Sequence, residues 1–136
     1  MEEKNKAMTQ EEERELLKRL DFRLAHVGIN SGSPEAAYGM VAQFTELFGF
    51  GLVDKNKGAF ADTYVECMKV PGRGLNGHIG FSTEHLDEAI AYLEGKGVHF
   101  YLDKETAPKD ANGQYLGAIY MDREIGGFAL HILQRR

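Results

Sequence analysis

From Phe22 onward the apolar and polar positions of the chain fall into two matching series. In NGHIGFST (76–83), Ile79 and Phe81 point one way and His78, Gly80 and Ser82 the other, the period-2 pattern of a strand. LAHVGIN (24–30) repeats it, and both contain His-(Val/Ile)-Gly-(Ile/Phe)-(Asn/Ser). Each strand precedes a helical pattern. The first runs from about Pro34 to Leu47, with proline near the first turn and Phe48-Gly49-Phe50 closing it. The second runs from about Leu86 to Lys96, with Ala89, Ile90 and Leu93 on one face and Gly97 at its end. Short strands are expected at 50–54, 58–62 and 63–70 in the first series, and at 98–102, 115–121 and 127–134 in the second. A Gly-rich connector, Pro71 to Gly77, separates them. The pattern predicts an α+β domain over 22–136, built from two βαβββ units at 22–70 and 77–134.

Residues 1–21 read as an extension. Residues 1 to about 8 should fray. Thr9 to Leu20 should form a helix, with a Thr9/Glu12 capping box and a narrow stripe of Leu16, Leu17 and Leu20 that packs on the surface or on a partner chain. The polar segment 103–114, DKETAPKDANGQ, reads as a loop that covers something.

Composition narrows the function. A net charge of −5 with no basic stripe argues against a nucleic-acid partner. No apolar run approaches the roughly 20 residues of a membrane span. The charged start of the chain has no apolar signal-peptide core. Cys67 stands alone, which excludes an internal disulfide and a cysteine-based zinc cluster. The expected location is the cytoplasm.

Four side chains carry the candidate chemistry. His26 and His78 lie on the opening strands of their units. Glu66, between Val65 and Cys67, and His131, between Leu130 and Ile132, lie in the closing strands. Each alone has an ordinary reading as a structural or wet strand residue. Together they fall at corresponding places of a repeat, and a charged group among apolar neighbours is expensive unless paired or metal-bound. Imidazoles with one carboxylate suit zinc, iron, nickel, copper or manganese. Asn30 and Ser82, four residues beyond the two histidines, and Tyr64 and Met68, flanking Glu66, are expected to line a substrate pocket. Arg73 in the connector could meet an anionic group, although its ordinary reading as a solvated loop residue is the favoured one. His85 and His99 should be exposed, and Cys67, out of phase with Glu66, should face the helices.

Two such units, opened by LAHVGIN and GHIGFST and closed by VEC and LHI, resemble the vicinal oxygen chelate superfamily, which includes glyoxalase I, methylmalonyl-CoA epimerase, extradiol dioxygenases and the bleomycin and fosfomycin resistance proteins. GHIGFST, LDEAIAYLEGKGV and REIGGFALHILQ look closer still to a module attached to some bacterial 2-keto-3-deoxy-6-phosphogluconate aldolases. The resemblance spans about 22–134 and implies a curved, cup-shaped mixed sheet. It also implies a divalent metal (Zn, Ni, Fe or Mn) on His26, Glu66, His78 and His131. One position departs from the pattern: His131 stands where glyoxalase I and the epimerase have a glutamate, and a metal-bound imidazole is a poor proton shuttle.

The implied function is a metal-dependent lyase, isomerase or dioxygenase acting on a small 2-keto or hydroxy-keto substrate that chelates the metal, in a homodimer. The alternatives are a non-catalytic small-molecule-binding module and an accessory domain partnering an aldolase. Which residue is catalytic stays open at this level.

Overall fold

In the computed structural model, which describes residues 7–136, helix α1 (Gln10–Leu20) begins at the expected capping box. The Glu12 amide donates to Thr9 Oγ1 at 3.0 Å and the Thr9 amide to Glu12 Oε1 at 2.9 Å. The expectation of fraying at the start of the chain falls largely outside the described residues. Strand β1 (Arg23–Asn30) follows, then α2 (Pro34–Phe48), β2 (Leu52–Asp54), β3 (Gly58–Ala61) and β4 (Val65–Met68). The second unit comprises β5 (Gly77–Thr83), α3 (Leu86–Glu94), β6 (Ile119–Ile125) and β7 (Phe128–Gln134). Gly49 ends α2 at φ +75°, a left-handed conformation that glycine adopts without strain.

The strands form one curved seven-stranded sheet in the order β2-β3-β4-β1-β5-β7-β6. β1 pairs parallel with β4 in the first unit, as β5 does with β7 in the second. The units join where β1 and β5 run antiparallel, with Val27 opposite Ile79. The α+β class and the repeat of strand and helix thus hold in three dimensions.

One expected strand is reduced. Over 98–102 only Phe100 bridges, to Met121. β6 is the edge of the sheet, and after the Phe100 bridge the chain leaves it into the turns of 103–114. That loop covers helix-side core. Its Ala107 is buried with Leu86, Ala89, Ile90, Ile119 and Ile132.

The apolar residues collect on the helix-bearing face in two clusters. Ala37, Val41, Ala59, Ala61 and Cys67 pack under α2. Leu20, at the end of α1, is fully buried in the α3 cluster. α1 lies along α3, where Arg19 makes a two-pronged pair with Glu88, at 3.0 and 2.6 Å, and Glu13 receives Tyr92 and Lys96. With both helical layers on one side, the other face of the sheet is left concave and open to chemistry.

Candidate metal centre

Registration places the polar side chains in two rows across the sheet. One row runs Glu66 (β4), Gly28 (β1), His78 (β5), and the other runs His26 (β1), Gly80 (β5), His131 (β7). In each row a glycine sits between two large polar residues. A Cβ on Gly28 would overlap the His78 ring, and one on Gly80 would overlap the His131 ring. A Cβ on Gly58 would overlap the Glu66 side chain. The small residue of each His-x-Gly motif is therefore the seat for a side chain from the neighbouring strand. It allows the imidazoles to lie inward over the backbone.

The result is convergence. The ring centroids of His26, His78 and His131 are 5.1–5.3 Å apart, and one nitrogen from each lies within 4.8 Å of the others. His26 Nε2 is 3.1 Å from His78 Nε2, which is 3.1 Å from Glu66 Oε1; the His26–Glu66 separation is 3.7 Å. His78 and His131 are almost fully buried, whereas His26 and Glu66 keep some exposure. Phe60 on β3 and Tyr120 on β6 complete the wall, 5.5 Å from His26 and 5.0 Å from His131.

Burial and then the two neighbouring imidazoles push His131 down to about 3, so it is neutral at physiological pH. His26 is lowered by burial first and by His78 next, against an opposing pull from Glu66. Burial and the Glu66 charge raise Tyr120 to about 12, leaving it a phenol that can donate a hydrogen bond.

This set fits a divalent cation. Ligands about 2.1 Å from a shared metal stand about 3.0–3.4 Å apart for octahedral to tetrahedral angles. Two of the separations, 3.1 Å each, fall inside that range, and the third, 3.7 Å, lies 0.3 Å above it. Without a cation, neutral imidazoles leave some lone pairs on these three atoms facing one another. The Nδ1 atoms of His78 and His131 are buried with no hydrogen-bond partner, so the glycine seats and ring packing set their orientation, where metal-ligating histidines ordinarily use an acceptor.

The residues expected to line a pocket have other engagements. The Asn30 amide is taken up by the connector: its Nδ2 donates to the Gly74 carbonyl at 3.0 Å and its Oδ1 accepts the Gly72 amide at 3.2 Å. Ser82 Oγ accepts from Arg135 Nη1 at 2.7 Å, in a cluster where Arg135 also binds Asp21 and Glu84. Tyr64 lies in the turn before β4 and packs at a tilt against Phe50, ring centres 5.0 Å apart, beside the α2 cluster. Met68 is buried opposite Asn30, under the connector. His85 stands at the N-cap position of α3 without a side-chain cap and is half-buried rather than exposed as expected, because it is held at the start of the helix; His99 is exposed, and neither belongs to the histidine cluster. Cys67 is buried on the α2 side. Sequence reasoning missed Phe60 and Tyr120. For Tyr120 a signal was present: Ile119 and Met121 both pack in the α3 cluster, so alternation turns the residue between them inward.

No protein-family model matches the chain, and no curated protein matches it. Solved structures do. A methylmalonyl-CoA epimerase from Mycobacterium tuberculosis is 16% identical over 83% of this chain and 87% of its own, with a TM-score of 0.54. A hypothetical protein from Bacillus halodurans C-125 is 16% identical over 85% and 95%, with a TM-score of 0.58. A variant of the Streptomyces coelicolor epimerase, in complex with 2-nitronate-propionyl-CoA, is 17% identical over 82% and 96%, with a TM-score of 0.54. At these identities the likeness speaks for architecture, and the chain has the vicinal-oxygen-chelate fold that methylmalonyl-CoA epimerase shares.

Proposed function

We propose that the concave face holds one divalent metal ion on His26, His78 and His131, with Glu66 as fourth ligand, and presents it to a small oxygenated substrate. The carrying observation is the meeting of three imidazole nitrogens within 4.8 Å on the inner face of one sheet. Four protein ligands leave positions open to a molecule that chelates through two neighbouring oxygens, and the metal would act as a Lewis acid on those oxygens. Tyr120, neutral and beside His131, can donate to an oxygen that gains charge. The likeness of GHIGFST and REIGGFALHILQ to the aldolase-attached module favours a 2-keto or hydroxy-keto substrate. The identity of the metal follows from loading: zinc, nickel, iron and manganese all accept this donor set.

One observation favours binding without turnover. His131 occupies the position of the carboxylate that would move a proton, and Tyr120, raised to about 12, is no base at neutral pH. Exposed Leu47 and Phe48 at the end of α2, with Leu52 and Val53 on edge strand β2, support a homodimer through that face.

Titration calorimetry with Zn(II) and Co(II), on protein purified without a histidine tag, tests the centre. One equivalent should bind. His78→Ala and Glu66→Ala should each lower affinity by at least about tenfold, and His85→Ala and His99→Ala should leave it unchanged. Equal affinity in all four variants would refute the assignment.

A further inference from the structure

The connector between the units passes over the end of the cup and carries one cation with nothing to bind. Arg73 lies with its guanidinium carbon 4.4 Å from the ring centre of Tyr101 and 5.2 Å from that of Tyr120. Among the described residues it makes no ion pair within 4.0 Å and no side-chain hydrogen bond. A guanidinium seated on aromatic rings uses its faces and keeps its edge N–H donors free, in the fork geometry that suits a carboxylate or phosphate. The acids that border the same cleft are otherwise occupied: Asp122 pairs with Arg123, and Glu124 accepts the Leu75 amide. Together Arg73, Tyr101, Asp122, Arg123 and Glu124 border a cleft of about 250 Å³ that also reaches Ala129, the register partner of His78.

Tyr120 measures the distance to the metal centre. Its ring contacts Arg73 on one side and lies 5.0 Å from His131 on the other. A single aromatic ring thus separates the cation from the proposed chelation site. The placement of Arg73 is itself built. The side chain of Asn30, four residues beyond His26 on the same strand, holds the Gly72 amide and the Gly74 carbonyl, the two peptide groups that bracket Arg73.

We propose that Arg73 is an anion subsite that reads the far end of the substrate, and that Asn30 is the positioning residue that holds it there. This rests on the metal-centre reading and sharpens it. The substrate class becomes an acid with two ends: a vicinal hydroxy- or keto-oxygen pair for the metal and a second anionic group, about one aromatic ring away, for the guanidinium.

The test uses Co(II)-loaded full-length protein and two probes with the same chelating head. 2-Hydroxyglutarate has a distal carboxylate and 2-hydroxyvalerate an uncharged tail, and dissociation constants are read from the cobalt absorption band. Wild type should bind 2-hydroxyglutarate about tenfold more tightly, the gain of one charge-assisted pair at an exposed site. Arg73→Ala should reduce that preference below threefold while leaving 2-hydroxyvalerate affinity and cobalt affinity unchanged. Arg73→Lys should retain part of it. Asn30→Ala should lower the preference without altering the neutral-tail affinity, a split that simple loss of stability would not produce. Absence of a preference in wild type, or its survival in Arg73→Ala, overturns the subsite with the metal centre intact. An unchanged preference in Asn30→Ala overturns the positioning role. Failure to take up cobalt overturns the metal-centre reading, and the subsite falls with it.

Discussion

The glycine seats give a sharp test, because they put the burden of metal binding on residues that touch no metal. Consider Gly80→Ala. The backbone at Gly80 is not left-handed, so an alanine is conformationally acceptable there, and the change acts through space alone. The added methyl would stand 2.3 Å from His131 Cε1, 2.6 Å from Nε2 and 3.2 Å from Nδ1, where ordinary contact begins near 3.4 Å. The ring must retreat by about 1.1 Å, more than five times the ±0.2 Å latitude of a ligand distance. Tyr120 and His26, with ring centres 5.0 and 5.1 Å away, limit where it can go. Overpacking of this kind costs about 1–3 kcal/mol in the metal-free protein. Loss of one well-placed ligand should lower zinc affinity by about 100-fold. Urea unfolding with chelator present measures the first quantity, and competition against a chromophoric chelator at pH 7 measures the second. Gly39→Ala, on the exposed face of α2 with nothing within 4 Å of the new methyl, is the control. It should raise stability by up to about 1 kcal/mol and leave zinc affinity untouched. A folded Gly80→Ala protein that binds zinc within threefold of wild type would show that this row does not place His131.

The metal-free protein should lose stability as pH falls from about 6.5 towards 3. His131 is held near 3 in the fold but titrates near 6.5 when unfolded, so in that window the unfolded chain binds the extra proton. The slope from His131 alone approaches about 1.4 kcal/mol per pH unit; denaturant midpoints that stay flat between pH 7 and 5 would contradict the burial of this group. The α2–β2 face should sustain a dimer at micromolar concentration, seen as twice the 15.2 kDa chain mass by light scattering. Leu47→Glu with Phe48→Glu should return it to a monomer without lowering zinc affinity, and a wild-type monomer would dismiss that interface.

Much of the architecture was readable because it is periodic. Alternation around His78 and around His26 marks two equivalent strands, and the helix after each, α2 and α3, ends on a glycine. The site was less readable, for a physical reason: its geometry depends on lateral neighbours. The sequence shows small residues after His26 and His78, but their role appears only when Gly28 lies beside His78 and Gly80 beside His131. Asn30 and Ser82 look like pocket residues by alternation, yet their partners at Gly72, Gly74 and Arg135 come from 42 to 53 positions away. Tyr64 breaks the alternation from Glu66, because Asp62, at φ +50°, turns the chain just before β4 begins. Phe100 shows the opposite case: a run with strand character that keeps a single bridge to the edge strand β6.

The crossed register of β1 and β5 also constrains how such a chain can be inherited. Each unit supplies the seat for a histidine of the second unit: Gly28 of the first receives His78, and Gly80 of the second receives His131. A mutation that enlarges residue 28 is therefore paid for at position 78, fifty residues away, and not at the adjacent His26. Among descendants of this sequence, size at 28 should vary inversely with size at 78, and size at 80 with size at 131. Lineages that lose the histidines should be the ones in which those glycines are free to drift. A duplicated half released from its sister would carry two ligands and one of the two histidine seats, so the gene can diverge in its loops and helices far more readily than it can be divided.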